Sequence, residues 1–557
     1  MSSDGEGPRR SPAGPTPGRS PSGPAARRAP SGRGLRRSPS GARLRRLPWG
    51  SALIGLVAGA ALLAVAELAS LPLSAASAPL VAIGGAFIDV IPPWVKDAAI
   101  ALFGTYDKAA LFASMLAVYG AVMALLGILG AHRPRAAMLG VGGLGVAAAG
   151  IVLTRAGTGP ADALPVLLGT AAGIVVLRAL GRMMRPAPAA PGAGPEAAGV
   201  RRRPLLVTAG AGLVFGALGV GARALHASRD AAGRAARAFA LPSPRSSAPA
   251  IPEQAQSQVA GMPPFLTPTA EFYRIDTALA VPRVDPQTWR LRVGGLVRRE
   301  VVLDLAQLLA LPMLERHITL TCVSNPVGGD LAGNATWLGV PVSTILEMAG
   351  VREGADMVLS RSVDGFTAST PLEALRDGRD ALIAVGMNGA PLPPEHGFPV
   401  RMVVPGLYGY VSATKWLTEL TVTRFADDRA YWTDRGWSER GPIKIASRID
   451  VPRAFAVLER DAQGAVMLGG TAWAQQRGIS AVQVRIDEGP WRDAELAASV
   501  SEDCWTQWSL RWDGADAGRH AVTVRAVDGD GQEQTAERAD PVPDGASGWH
   551  EIRFKVA

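Results

Sequence analysis

The stretch "MNGAPLPPEHGFPVRMVVPGLYGYVSATKWL", residues 387–417, decides how the rest of this 557-residue chain is read. Its prolines and glycines fix the backbone over a short distance. His396, Arg401 and Lys415 place three potential cations on the rigid result. That combination suits a phosphate or another compact anion, which Arg grips in a planar fork and Lys meets as a point charge. The residues alone leave a second reading equally open, a solvated basic surface folded back by proline turns.

Upstream, "HITLTCVSNPVGG" at 317–329 contains Cys322, one of two cysteines in the chain. On a strand, Ile318, Leu320 and Cys322 share one face while His317, Thr319 and Thr321 share the other. Free cysteine is among the most buried residue types, so this alternation favours a core thiol. The following loop, "VSNPVGGDLAGNATWLGVPV", pulls the other way. Its Asn, Gly and Pro give a tight turn with free backbone N–H groups, and a thiolate at such a strand end suits a soft metal or a covalent intermediate. Nucleophilic catalysis needs a neighbouring base, and His317 projects from the opposite face.

Taken together, the two stretches resemble the sulfite-oxidase family of molybdopterin enzymes. The resemblance covers most of 265–425 and includes "FYRIDTALAVPRVDPQTWRLRVGG" at 272–295. It implies that Cys322 is the molybdenum thiolate, and that His396, Arg401, Lys415 and the backbone near Ser412 hold the pterin and its phosphate. It places Asn325 in a Cys-x-x-Asn loop, matches Asp364 in "SVDGF" to an aspartate that reaches the pterin, and matches Arg274 in "FYRID" to an arginine of the first cofactor segment. Two departures bear on the substrate. Pro326 and Val327 stand where sulfite oxidases carry arginines, and Phe366 stands where they carry an active-site tyrosine. Each lost charge-assisted contact costs about 1.5–3 kcal/mol, so the resemblance implies the cofactor and leaves sulfite open as the substrate. Reduction of a sulfoxide or similar small oxide is the alternative among enzymes, and a non-catalytic membrane scaffold is the alternative outside them.

Residues 428–557 offer strand patterns at short intervals, among them "SAVQVRID", "CWTQWSLRW", "HAVTVRAV" and "WHEIRFKV", as expected of an immunoglobulin-like sandwich. Within them "GGTAWAQQRGISAVQVRIDEGPW", residues 469–491, is similar to the family's dimerisation domain. That similarity leaves a homodimer open and makes Arg477 the arginine offered to the substrate pocket. Cys504, ahead of an apolar strand, is expected as a buried thiol rather than the disulfide partner of Cys322.

The N-terminal half differs. From Trp49 to Ala222 the chain is mostly Ala, Gly, Leu and Val in runs near the ~20 residues a spanning helix needs. Five spans are expected, at about 51–71, 109–130, 136–153, 163–180 and 205–221. The apolar 74–108 segment, cut by Pro92 and Pro93, fits an interfacial or re-entrant element. Cytoplasmic loops carry the Lys/Arg excess. Five spans put the basic tail, "AHRPR" at 131–135 and the stretch from Arg182 to Arg203 on that side, and everything after Gly221 outside. The run Arg201–Arg203 ahead of the last span resembles a twin-arginine export signal. Residues 1–46 hold eleven arginines against Asp4 and Glu6, which accounts for the whole chain's net charge of +9. The high isoelectric point therefore belongs to a disordered tail and argues against a nucleic-acid-binding domain. None of the six histidines falls within a span, so no axial haem pair is expected there.

The expected architecture is multi-domain: an all-α transmembrane bundle (47–222) after a disordered cytoplasmic tail (1–46), a flexible linker (223–262), an α/β molybdopterin domain (263–427) and an all-β sandwich (428–557). The expected protein is a multi-pass cell-membrane oxidoreductase with its catalytic domain extracytoplasmic. It carries molybdenum-molybdopterin without haem or flavin, and acts on a small molecule. It exchanges electrons with a separate cytochrome or quinone system.

Overall fold

Apolar backbone away from water must satisfy its own hydrogen bonds, and the N-terminal half does so as helices. The computed structural model describes residues 49–73, 77–92, 95, 102, 107–155, 158–183, 202–228 and 239–557. The basic tail, Pro93, most of the basic stretch after Arg182 and the middle of the linker lie outside the described residues.

The helices are α1 (Trp49–Ser70), α2 (Pro79–Val90), α3 (Asp107–His132), α4 (Pro134–Leu153), α5 (Leu164–Met183) and α6 (Arg202–Ser228). α1, α3, α4 and α5 are long and apolar enough to cross a membrane, and α6 carries a shorter apolar stretch, Leu206–Gly221. At 1.5 Å per residue the 22 residues of α1 reach about 33 Å, the thickness of a bilayer's hydrocarbon core. α1 lies at the centre. Gly55 meets the Met123 carbonyl of α3, and Gly169 of α5 meets the Leu62 carbonyl, so neither crossing has room for a Cβ. Close approach through small residues is how membrane helices associate. α2, with 12 residues, is too short to cross. It buries Ala82 against Ala149, Val152, Ala163 and Val166.

The linker corrects an expectation. Its start continues α6 to Ser228, and 239–262 is a docked strap rather than a free tether. The Arg245 amide donates to the Met313 carbonyl and the Glu315 amide to that of Ser246. The Phe239 ring packs edge-on to Phe398, and Ala255 is fully buried. Its apolar and amide groups found partners that composition alone does not reveal.

The next domain is built from β1 (Arg290–Gly295), β2 (Val301–Asp304), β3 (Leu314–Thr321), β4 (Ala332–Pro341), β5 (Met357–Ser362), β6 (Thr367–Pro371), β7 (Leu382–Met387), β8 (Ala390–Pro391), β9 (Arg401–Val403) and β10 (Leu417–Thr423). One sheet runs β2-β1-β10-β5-β6, and the other β3-β4-β7-β8 with β9 on β7. α7 (Leu305–Leu309), α8 (Val342–Ala349) and the single turn α9 (Gly409–Ser412) complete it. Trp289, Leu291, Val340, Ile345, Trp416 and Leu420 belong to one continuous core.

Residues after 445 form β11 (Ala446–Val451), β12 (Val457–Leu458), β13 (Val466–Trp473), β14 (Ile479–Ile486), β15 (Trp491–Asp493), β16 (Glu495–Leu496), β17 (Thr506–Trp512), β18 (Gly518–Asp528) and β19 (His550–Val556). They make sheets of order β11-β13-β17-β16 and β12-β19-β18-β14-β15. Alternation puts Val482, Val484, Val522 and Val524 inward with Leu468, Trp508 and Phe554. Each such side chain contributes about 1.5–3 kcal/mol on burial.

Candidate active site

β3 is the edge strand of its sheet, and its far edge is closed from elsewhere. The Thr319 amide donates to the Asp503 carbonyl. The Trp505 amide donates to Thr319 Oγ1, and Gln475 Nε2 to the Thr319 carbonyl. From His317 to Thr321 both faces of β3 are buried, and Cys322 follows directly where the strand ends. The turn is closed by the Asn325 amide on the Cys322 carbonyl and the Cys322 amide on the Leu331 carbonyl. Asn325 Oδ1 accepts from the Leu331 amide at 2.9 Å, so this side chain braces the loop. Cys322 is a free, buried thiol whose sulfur shares a 2.9 Å hydrogen bond with Ser324 Oγ. Burial raises its pKa; Ser324 and the charge of Lys415 work against that rise. Among the described residues no three His, Cys, Asp or Glu side chains gather as a metal site. A metal held by Cys322 must take its remaining ligands from a cofactor.

The cations of 387–417 lie beside it. Arg401, on β9, is buried under the sheet, and its donors reach only backbone carbonyls: those of Met402, His396 and Ala413, at 3.2–3.3 Å. Its guanidinium sits 5.0 Å from the Trp337 ring, and among the described residues no carboxylate pairs with it. Burial lowers its pKa to about 10. A buried, uncompensated guanidinium with long hydrogen bonds fits an anion supplied from outside the chain. His396 Nε2 lies 3.0 Å from the Thr269 carbonyl, which assigns the proton to that nitrogen. Burial and then the charge of Arg401 lower its pKa to about 4, so the ring is neutral.

Lys415 is aimed by Trp416, which holds a left-handed φ of 51° and donates from Nε1 to the Pro394 carbonyl at 2.8 Å. Such backbone costs about 1–3 kcal/mol and persists only where surroundings enforce it. Lys415 Nζ bonds Asp276 Oδ2 at 2.8 Å, and Arg274 Nε reaches the same oxygen at 2.8 Å. Burial would raise the Asp276 carboxyl, but Lys415, Lys108 and Arg274 together hold it well below the usual range. Burial lowers Lys415 to about 8 despite that partner. Three cations on one carboxylate leave a net positive cluster, which again fits a phosphate. Asp364 accepts from Thr277 Oγ1 and from the Phe366 amide, beside this cluster.

Ser412 is expected to serve through its backbone, whereas Phe366 and Arg477 sit away from the cysteine loop's cleft. Ser412 is fully buried and its hydroxyl shares its one proton between the Leu407 and Tyr408 carbonyls, so the side chain holds the α9 turn and leaves the expected backbone contact open. Phe366 packs against Tyr431 and is not among the residues lining the cleft at the cysteine loop. Arg477 is engaged at 2.7 Å by Asp528, whose side chain is fully buried, and likewise does not line it.

Other residues take the places near the thiol. Tyr273 and Tyr408 lie close enough that charge on the Cys322 sulfur adds to the rise that burial gives their phenols. Both stand inside quoted motifs, beside Arg274 and within "PGLYGY", so a signal existed. Arg448 Nη1 donates to the Gly329 carbonyl at 3.0 Å, and His550 fills the space at Gly328. These two come from β11 and β19, and nothing in the sequence announces them. The small cleft beside the loop is lined by Thr321, Asn325, Val327, Tyr408, Ser447, Trp473 and Gln534 among others, none of them charged. Thr321 Oγ1 is buried there without a hydrogen-bond partner among the described residues.

A sequence profile described as an oxidoreductase molybdopterin binding domain matches residues 278–432. The chain is 35% identical over 187 residues to the uncharacterized oxidoreductase YuiH of Bacillus subtilis, covering 33% of this chain and 91% of that one. It is 30% identical over 298 residues to the mitochondrial sulfite oxidase of Mus musculus, covering 44% of this chain and 53% of that one. It is 30% identical over 302 residues to an NADH nitrate reductase of Volvox carteri, covering 44% and 35%. The chain thus spans about half the length of that sulfite oxidase and about a third of that nitrate reductase.

Proposed function

This chain belongs to the sulfite oxidase and nitrate reductase family of molybdenum-dependent oxidoreductases, and from that premise we propose a membrane-anchored, extracytoplasmic enzyme of two-electron oxygen-atom transfer. The observation that carries this reading is uncompensated positive charge, at Arg401 and around Asp276, beside a free strand-end thiol. When bound, molybdenum-molybdopterin supplies the oxygen-atom chemistry and its electrons. Cys322 would give the metal its protein thiolate, the metal displacing the thiol proton to solvent and so offsetting the rise that burial causes. Arg401, Lys415 and Arg274 neutralise the phosphate. Neutral His396, its Nε2 proton committed to Thr269, offers Nδ1 as an acceptor to the pterin. Asn325 and Asp364 keep the roles the family resemblance gives them, the first by bracing the cysteine loop.

Pro326 and Val327, standing where sulfite oxidases carry arginines, favour a small neutral oxide, as in sulfoxide reduction, over the sulfite dianion. Sulfite should then fail to reduce the oxidised enzyme while methionine sulfoxide turns over with a reduced dye; the reverse pattern would restore sulfite. Wild-type protein, expressed where the cofactor is made and yet carrying far less than about one molybdenum per chain, would favour a scaffold.

α6 is read as the fifth span. Asp89, Lys108 and Arg155, from the segments around α2 and after α4, share the side of the soluble half: Lys108 bonds Asp276, and Asp89 pairs with Arg155 near Tyr431. Five spans with a cytoplasmic tail put both segments outside, which supports that orientation. The sandwich, two sheets of mainly antiparallel strands, is read as immunoglobulin-like. Electrons pass to a separate carrier, a cytochrome or a membrane quinone.

A further inference from the structure

One buried carboxylate joins the membrane helices to the cofactor site. Asp276 has a side chain only 4% exposed, and its two oxygens face different partners. Oδ2 takes Lys415 and Arg274, the cations assigned to the phosphate. Oδ1 takes Lys108 Nζ at 3.4 Å, and the same ammonium donates to the Ala278 carbonyl at 3.0 Å and the Asp276 carbonyl at 3.3 Å. Lys108 belongs to the first turn of α3, a membrane helix, 168 residues from its acceptor. The turn it grips is also covered by α2, where Gly84 meets Leu279 so closely that a Cβ would lie 2.8 Å from its Cδ1. Two independent contacts therefore seat the membrane helices on the turn that carries Asp276.

We propose that Lys108 is a positioning residue for the cofactor site, so that filling the site and seating the membrane helices form one linked equilibrium. The inference rests on the reading of Lys415 and Arg274 as the phosphate cations. With Lys108 present, the cluster holds three cations against one carboxylate, and Oδ1 is satisfied by the helix. Without it, the carboxylate turns wholly to Lys415 and Arg274, and the net charge offered to a phosphate falls from two to one. Reciprocity follows: a phosphate that draws Lys415 and Arg274 away leaves more of the Asp276 charge to Lys108 and holds α3 more tightly.

The test uses full-length protein in lipid nanodiscs, loaded with cofactor during expression. Molybdenum retained during dialysis is measured by mass spectrometry, and amide exchange is followed over 107–115 and 274–281. Lys108→Met is expected to lose molybdenum about tenfold faster than wild type, within the usual range of coupling between sites. Lys108→Arg, which keeps the charge, should restore most of that difference. In an Asp276→Asn background, where no carboxylate is left for Lys108 to compensate, the effect of Lys108→Met should shrink. Wild-type amides at 107–115 should exchange more slowly in loaded than in cofactor-free protein, and Lys108→Met should abolish the contrast. Wild-type retention in Lys108→Met, an undiminished effect in the Asp276→Asn background, or exchange indifferent to loading would each overturn the inference. Wild-type protein devoid of molybdenum would instead sink the cofactor reading on which it stands.

Discussion

Cys322 and Cys504 are both free and both buried, and burial raises the pKa of each thiol. Their neighbours separate them. Cys504 lies where the sandwich meets β3, donates to the His317 carbonyl at 3.3 Å and feels the Asp503 carboxylate, which lifts its pKa further, to about 12. Cys322 ends a strand at a glycine-rich loop and feels Lys415, which favours the thiolate. Two buried thiols in opposite fields differ in how readily they ionise, so depth alone does not distinguish a core cysteine from the ligand proposed at Cys322.

Exchanging the two residues' fates is the largest way to break that contrast. Cys322→Ser should lower molybdenum affinity and turnover more than about a hundredfold, beyond the usual loss for groups that only support a ligand. Cys504→Ser should keep metal and turnover and shift only the melting temperature. Equal metal contents in the two variants would end the assignment. Next, Arg401→Met should empty the site of molybdenum while raising the melting temperature of the cofactor-free protein, because a buried unpaired charge is removed. A lower melting temperature would show that the three carbonyls already satisfy the guanidinium.

The field that favours the Cys322 thiolate should itself titrate. Lys415 is lowered from 10.5 to about 8, so cofactor retention should fall as pH rises through about 8 and the ammonium loses its proton. The cofactor-free fold should move oppositely, gaining stability from pH 8 towards 10.5, since there the unfolded chain binds more protons. Lys415→Arg, titrating much higher, should flatten the retention profile. A smaller effect concerns His396 and His550, both lowered by burial to about 4. Their contribution is fully present above the unfolded value near 6.5 and is lost as pH falls towards 4, so melting temperature should drop across that window. A flat profile would mean that neither ring's pKa is lowered in the fold. The smallest change is Thr321→Val. Removing a hydroxyl with no partner should leave stability unchanged or slightly raised, while KM for a substrate in the cleft rises a few-fold; unchanged KM would place the substrate elsewhere.

The four helices long and apolar enough to cross a membrane were legible because hydrophobic runs and charged ends are local signals. The molybdopterin-binding domain was legible because Cys322, His396, Arg401 and Lys415, the proposed site residues, sit in compact motifs. What the sequence hid is whatever long-range pairing decides. Arg477 stands at the position the family resemblance offers, yet Asp528 of β18 claims it, while Arg448 and His550 arrive from β11 and β19. The strap at 239–262 has a linker's composition, and its partners Met313, Glu315 and Gln507 are distant in sequence. Lys108 reads as a span-end lysine until the fold brings Asp276 to it.

The outer edge of β3 is closed by residues that the ribosome makes much later. Trp505 bonds Thr319 across 186 residues, and Asp503 accepts from the same residue's amide. The strap at Ser246 covers the start of this edge, but its end beside Cys322 stays open until the sandwich has been synthesised, a pairing of high contact order. A nascent chain ending before residue 503 would lack the partners of Thr319 and leave that part of the edge open.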